Sequence, residues 1–222
     1  DGKFWGLAFS PDGLLLAGCS RGCNEVRVWD SSNWELKFEL VGHTNNRIES
    51  VTFSPDGRRL ASGGFDGSVR IWDATTGKHI RTFDNHDAET GRISGLQFHP
   101  NSRLIISAQC NGDIRIWDTE TGEERLAIWP NRGYLNFAGF SPDGQFAISE
   151  HEGTLHYHDV ETGESAAIIE AIEPKPDDHT IFGGANQSRD RSTIVTAGWH
   201  GQVRIWNATS REQLSTIELE LG

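Results

Sequence analysis

The chain has 222 residues, 36% hydrophobic and 23% charged, a composition suited to a globular domain with its own core. Its net charge of −12 argues against a nucleic-acid binder, a role that rests on clustered lysine and arginine. No apolar run approaches the roughly 18 residues of a spanning helix, and Asp1-Gly2-Lys3-Phe4-Trp5 has none of the basic and apolar regions of a leader peptide.

In chain order, a first predicted strand, Phe4 to Phe9, stops at Ser10-Pro11-Asp12-Gly13, and Val26-Arg27-Val28-Trp29-Asp30 follows as a later strand. The second unit is the fullest. Ile48 to Phe53 ends at Ser54-Pro55-Asp56-Gly57, whose residue types suit tight-turn dihedrals. Arg59 to Ser62 leads to the turn Gly64-Phe65-Asp66-Gly67. Val69 to Trp72 is a third strand, with Val69 and Ile71 on one face and Arg70 and Trp72 on the other. Thr76-Gly77-Lys78 then turns into a fourth, Ile80 to Phe83. The third unit repeats the plan through His99-Pro100-Asn101-Ser102 and Ile114-Arg115-Ile116-Trp117-Asp118. The fourth does so through Ser141-Pro142-Asp143-Gly144 and Leu155-His156-Tyr157-His158-Asp159; Ala166 to Ala171 has a helical look but occupies its fourth-strand position. The fifth carries Val203-Arg204-Ile205-Trp206-Asn207 and ends with Gln213 to Leu219.

From Trp29 through Trp72, Trp117, His158 and Trp206 the steps are 43, 45, 41 and 48 residues. Two independent motifs sharing one period define a repeat of four-stranded units, with approximate bounds 1–40, 41–84, 85–129, 130–170 and 171–222. The three cysteines, Cys19, Cys23 and Cys110, form no disulfide framework and no common zinc knuckle, so a reducing, cytoplasmic compartment is expected. The absence of methionine suits a processed chain or a segment of a longer one.

These motifs resemble those of the WD40-repeat family, in arrays of the bacterial type, over nearly the whole chain. The resemblance implies an all-β fold, a β-propeller of five four-stranded blades. Every blade is self-contained and no closing strand is left over, which points to part of a larger, seven-bladed ring. A true five-bladed ring, or an arc completed by another chain through open blade edges, are the alternatives. In the family, a His, a Ser or Thr, an Asp and a Trp form a hydrogen-bonded set within a blade. Carried over, these are His43, Ser62, Asp66 and Trp72, and only the second unit has the whole set. The third offers His86, Ser107 and Trp117 but Asn111 in place of Asp. The fourth has Ser149, Glu152 and His158. The fifth has Thr196 and Trp206, with His200 at the Asp position. Blades three to five are therefore expected to be less rigid than blade two.

Catalysis is not expected. There is no Gly-x-Ser-x-Gly elbow, the turn cysteine Cys110 has no activating neighbour, and Phe182-Gly183-Gly184-Ala185 lacks the Lys-Ser/Thr of a phosphate loop. The sharpest rival is a metal- or small-molecule-dependent enzyme built on His151, Glu152, His156, His158 and Asp159, since His156 and His158 share a strand face. The plainer reading makes His158 a stand-in for the blade Trp and Asp159 the ordinary repeat Asp, so neither metal nor cofactor is expected.

The resemblance places partner binding on the end formed by fourth-to-first connections and second-to-third turns. Alignment of the units puts Phe65, Cys110, His151 and Trp199 just before the repeat Asp. Trp5, Arg47, Glu49, Arg92, Ser94, Tyr134 and Asn136 fall near the first-strand entrance. Such Trp, Tyr and Arg residues are the ones that anchor interfaces. The expectation is a scaffold or sensor that binds a protein, or another domain of its own longer chain, without nucleic acid or membrane. A purely structural assembly module is a further alternative. The acidic, proline-bearing stretch Glu170 to Asp178 is expected to be a long connection.

Overall fold

Short alternating segments closed by Pro-Asp-Gly and Thr-Gly turns are long enough for strands and too short for a packed helix. The computed structural model describes residues 3–45, 47–84, 86, 92–128, 135–151, 154–170, 184–197 and 202–218, and every regular element among them is a β-strand. Blade 1 comprises β1 (Lys3–Phe9), β2 (Leu15–Arg21), β3 (Glu25–Asp30) and β4 (Leu36–Val41). Blade 2 comprises β5 (Ile48–Phe53), β6 (Arg59–Gly64), β7 (Val69–Asp73) and β8 (His79–Phe83). Blade 3 holds β9 (Ile93–Phe98), β10 (Leu104–Gln109), β11 (Ile114–Asp118) and β12 (Glu124–Ile128). Blade 4 holds β13 (Leu135–Phe140), β14 (Phe146–His151), β15 (Thr154–Asp159) and β16 (Ser165–Glu170). Blade 5 holds β17 (Gly184–Gln187), β18 (Thr193–Ala197), β19 (Gln202–Asn207) and β20 (Gln213–Glu218). Each blade is one antiparallel sheet with its strands in chain order.

The turn residues act through specific bonds. Ser54 Oγ donates to Asp56 Oδ1 at 2.5 Å and accepts the Arg59 N–H at 2.9 Å, while Gly57 takes a φ of 72°. Ser10, Ser141 and Ser188 repeat this pattern. The repeat Asp closes the next turn: Asp73 Oδ1 accepts the N–H groups of Thr75 and Thr76, and Asp118, Asp159 and Asn207 do the same in their blades.

The core lies between blades. Ala17, Val26 and Val28 of blade 1 pack with Phe53, Leu60 and Trp72 of blade 2. Val69 and Ile71 of that same β7 pack the other way, with Phe98, Ile105 and Trp117 of blade 3. Further clusters join blade 3 to blade 4 and blade 4 to blade 5. In blades 2, 3 and 4 strand alternation therefore assigns one face of the sheet to the preceding blade and one to the following blade. On blade 1 the row Phe9, Leu16, Trp29 and Leu36 runs across all four paired strands on the face away from blade 2. Phe9 and Leu36 are exposed, as are Trp5 and Leu7.

Candidate functional site

In blades 2 and 3 the start of the first strand lies beside the second-to-third turn. In blade 2 the Phe65 N–H donates to Arg47 O at 3.0 Å, and in blade 3 the Cys110 N–H donates to Arg92 O at 3.2 Å. The Arg47 guanidinium sits over the Phe65 ring, 5.1 Å from its centroid. Arg47 is exposed and Phe65 half-buried. Glu49 is buried, with Oε2 3.0 Å from Arg92 Nε of the next blade. Four residues singled out in the sequence, Arg47, Phe65, Glu49 and Arg92, are thus brought together as two pairs at one end of blades 2 and 3.

Backbone geometry singles out the same positions. Register shifts fall between Phe4 and Gly6, between Ile48 and Ser50, and between Leu135 and Phe137. In blade 3, Ile93 pairs with Gln109 and Gly95 with Ala108. Trp5, Glu49, Ser94 and Asn136 are the extra residues of these bulges, and a bulge re-aims the side chain it carries. Trp5 is exposed, whereas Ser94 Oγ donates to Leu135 O of the next blade at 3.0 Å. At a β-bulge of blade 1, a Cβ on Gly6 would lie 2.9 Å from Glu49 O, so the first strands run close together here. Tyr134 and Trp199 lie outside the described residues; of Asn136 and His151 only the backbone is described.

Beneath this end, His43 Nε2 is 2.8 Å from Ser62 Oγ, which also accepts the Trp72 indole N–H at 2.9 Å. His43 Nδ1 is 3.0 Å from Asp66 Oδ1. Burial alone would raise the Asp66 pKa, but bonds from His43, the Thr44 N–H and Ser68 outweigh it and hold the carboxyl well below its ordinary value. Blade 3 corrects the expectation that the second unit alone has the full set. There His86 Nε2 meets Ser107 Oγ at 2.7 Å, Trp117 Nε1 donates to Ser107 Oγ at 2.8 Å, and His86 Nδ1 is 2.9 Å from Asp113 Oδ2. The carboxylate comes from two residues beyond Asn111. The reason is visible in blade 2, where Ser68, at the matching place, already lies 3.3 Å from His43 Nδ1. Two positions on that turn can reach the imidazole, and blade 3 puts its acid on the second. The signal was an Asp two residues late. Arg115 Nε also donates to Asp113 Oδ2, at 2.9 Å.

Blade 5 keeps the Trp206 to Thr196 bond at 3.0 Å, and His200 lies outside the described residues. In blade 4, Ser149 Oγ and His158 Nε2 are buried with no partner among the described residues. His158 Nδ1 lies 3.3 Å from Gly163 O, and His156 Nε2 lies 2.7 Å from Thr154 Oγ1. Their rings stack with centroids 6.3 Å apart. Asp159 is spent on its own turn, Glu152 lies outside the described residues, and no group of three metal-ligating side chains occurs among those described. Burial pushes the Cys19 thiol up to about 12, which leaves it an inert core residue.

The family model for the IFT122 first β-propeller matches residues 3–222. Over 82 residues the chain is 40% identical to the small ribosomal subunit protein RACK1 of Caenorhabditis elegans, a stretch covering 36% of this chain and 25% of that protein. It is 39% identical, also over 82 residues, to MST50-interacting protein 11 of Pyricularia oryzae, covering 36% of this chain and 26% of that relative. The matched stretch thus spans about a quarter of each curated relative.

Proposed function

Because the chain belongs to the IFT122 first-β-propeller family of WD40-repeat proteins, we propose that it is a protein-interaction scaffold whose binding end carries Trp5, Arg47, Glu49, Phe65 and Arg92. By their place in the repeat, Tyr134, Asn136, His151 and Trp199 extend the same end. The observation that carries this reading is the solvent-facing Arg47–Phe65 pair beside the Glu49–Arg92 bridge. Neither pair is needed to make a turn, and an arginine stacked on an aromatic ring is a pre-ordered anchor for a partner. The names of the two relatives fit the same role: one is a ribosomal subunit protein and the other interacts with MST50. A net charge of −12 favours a basic partner surface. The histidine–carboxylate pairs His43–Asp66 and His86–Asp113 are engaged within their blades, which supports binding over catalysis.

The test is capture from lysate by the intact chain beside a Trp5→Ala, Arg47→Ala, Phe65→Ala variant matched for thermal unfolding. A specific partner retained by the parent and depleted at least about tenfold by the variant is the expected result. Equal capture by both forms would move the binding surface elsewhere. The exposed Leu7, Phe9 and Leu36 on blade 1 support a second surface, one that would take another propeller blade, supplied by a longer chain or a second copy. A solution mass that shifts on Leu7→Lys would mark association through that face.

A further inference from the structure

At the other end of the first strands, all five first-to-second-strand turns contribute to a cavity of about 490 Å³. Four bring a proline, Pro11, Pro55, Pro100 and Pro142; the fifth, Ser188-Arg189-Asp190-Arg191, brings two arginines. Arg189 stands where the other turns have proline. Arg191 stands where they have Gly13, Gly57, Ser102 and Gly144, and it takes a φ of 63°. That left-handed conformation suits glycine, so the turn itself gives no reason for an arginine there.

The two guanidiniums have little compensation. Arg191 Nη2 donates to Phe98 O of blade 3 at 2.8 Å, while its Nη1 is buried with no partner among the described residues. Arg189 Nη2 donates to Pro11 O of blade 1. Neither forms an ion pair among the described residues. Among the described residues the one carboxylate on the cavity wall, Asp190, is held by its own turn through Ser188 Oγ at 2.6 Å and Ser192 Oγ at 2.9 Å. Phe9 and Phe53 add apolar wall, which lowers the local dielectric and strengthens any charge contact made there. Burial also depresses the Arg191 pKa, the mark of a cation short of counter-charge.

We propose that this cavity is a binding site for a small oxyanion, carboxylate or phosphate, carried on a ring-sized apolar body, with Arg189 and Arg191 as its counter-charges. Its volume suits a small molecule and its mixture of two cations with proline and phenylalanine walls suits such an amphiphile. The site is at the opposite end from the protein-binding surface and does not depend on it.

The test titrates the intact chain with benzoate, phenyl phosphate, inorganic phosphate and neutral benzyl alcohol, read by ligand-observed NMR and calorimetry. Arg191→Gly restores the residue that three of the other turns use, and Arg189→Pro the residue that all four use, so both variants are expected to fold; thermal unfolding checks this. Saturable binding of benzoate or phenyl phosphate, weakened at least about tenfold in either variant, supports the site. The stronger of the two probes identifies the oxyanion. No saturable binding of either at millimolar concentration, binding unchanged in both variants, or benzyl alcohol binding as well as benzoate would each overturn it.

Discussion

In blades 2 and 3 a buried imidazole bridges a carboxylate and a serine hydroxyl, and the hydroxyl in turn accepts an indole N–H. Removing one member strands the others, because burial denies them water. Asp113→Ala removes the carboxylate that both His86 Nδ1 and Arg115 Nε contact and is expected to cost about 2–3 kcal/mol in urea denaturation at pH 7. Asn111→Ala, at the position the repeat pattern favours, should cost less than about 1 kcal/mol. The reverse order would show that the Asn111 amide, not the Asp113 carboxylate, is the group blade 3 depends on. The pH dependence has a defined sign. Asp66 and Asp113 both have folded pKa values below the unfolded value of about 3.9. Their stabilisation is therefore present above about pH 4 and is lost as pH falls through the folded values. Asp66→Asn should flatten this acid limb in unfolding curves; an unchanged limb would show that Asp66 is not depressed.

At the scale of the element, the hydrogen-bonded sets tie the second and third strands of a blade to the chain entering it. Blade 4 has no such tie among the described residues: Ser149 Oγ and His158 Nε2 face the interior unsatisfied. Amides of β14 and β15 are expected to exchange faster than those of β10 and β11, measured by hydrogen exchange with mass spectrometry. Equal protection would mean that interblade packing, not the polar set, controls local opening. This revises the expectation from sequence, which grouped blade 3 with the weaker blades because Asn111 stands at the Asp position of the motif. The bulges belong to this scale too. Trp5, Glu49, Ser94 and Asn136 recur at one position, but alternation alone cannot distinguish a bulged residue from a paired one.

Across the whole molecule, equivalent residues have unlike surroundings. The phenylalanine ending the first strand is 8% exposed in blade 2 (Phe53), 1% in blade 3 (Phe98) and 0% in blade 4 (Phe140), against 58% in blade 1 (Phe9). The preceding blade covers the first three. Phe98→Ala and Phe140→Ala are therefore expected to cost about 3–5 kcal/mol, and Phe9→Ala less than about 1 kcal/mol. Chemical denaturation of the three variants checks this, and a large loss for Phe9→Ala would show that its face is covered in solution. The repeat made these positions legible as a set, since the Ser-Pro or His-Pro turn follows each of them. It carried no information on which had a neighbour.

Strands, turns and the number of units were determined by the sequence by itself, because each depends on residues a few positions apart: a serine and an aspartate closing a turn, a glycine at positive φ, an apolar residue at every second place. The His43, Ser62, Asp66 and Trp72 positions came from the family resemblance on that same frame. Only the tertiary structure decided that Asp113 meets His86, that Glu49 meets Arg92, that Phe53, Phe98 and Phe140 are buried where Phe9 is exposed and that Arg191 reaches across to Phe98. These contacts join residues 27 to 93 positions apart or sheets packed face to face. Blade-against-blade geometry sets them, and no local period encodes it.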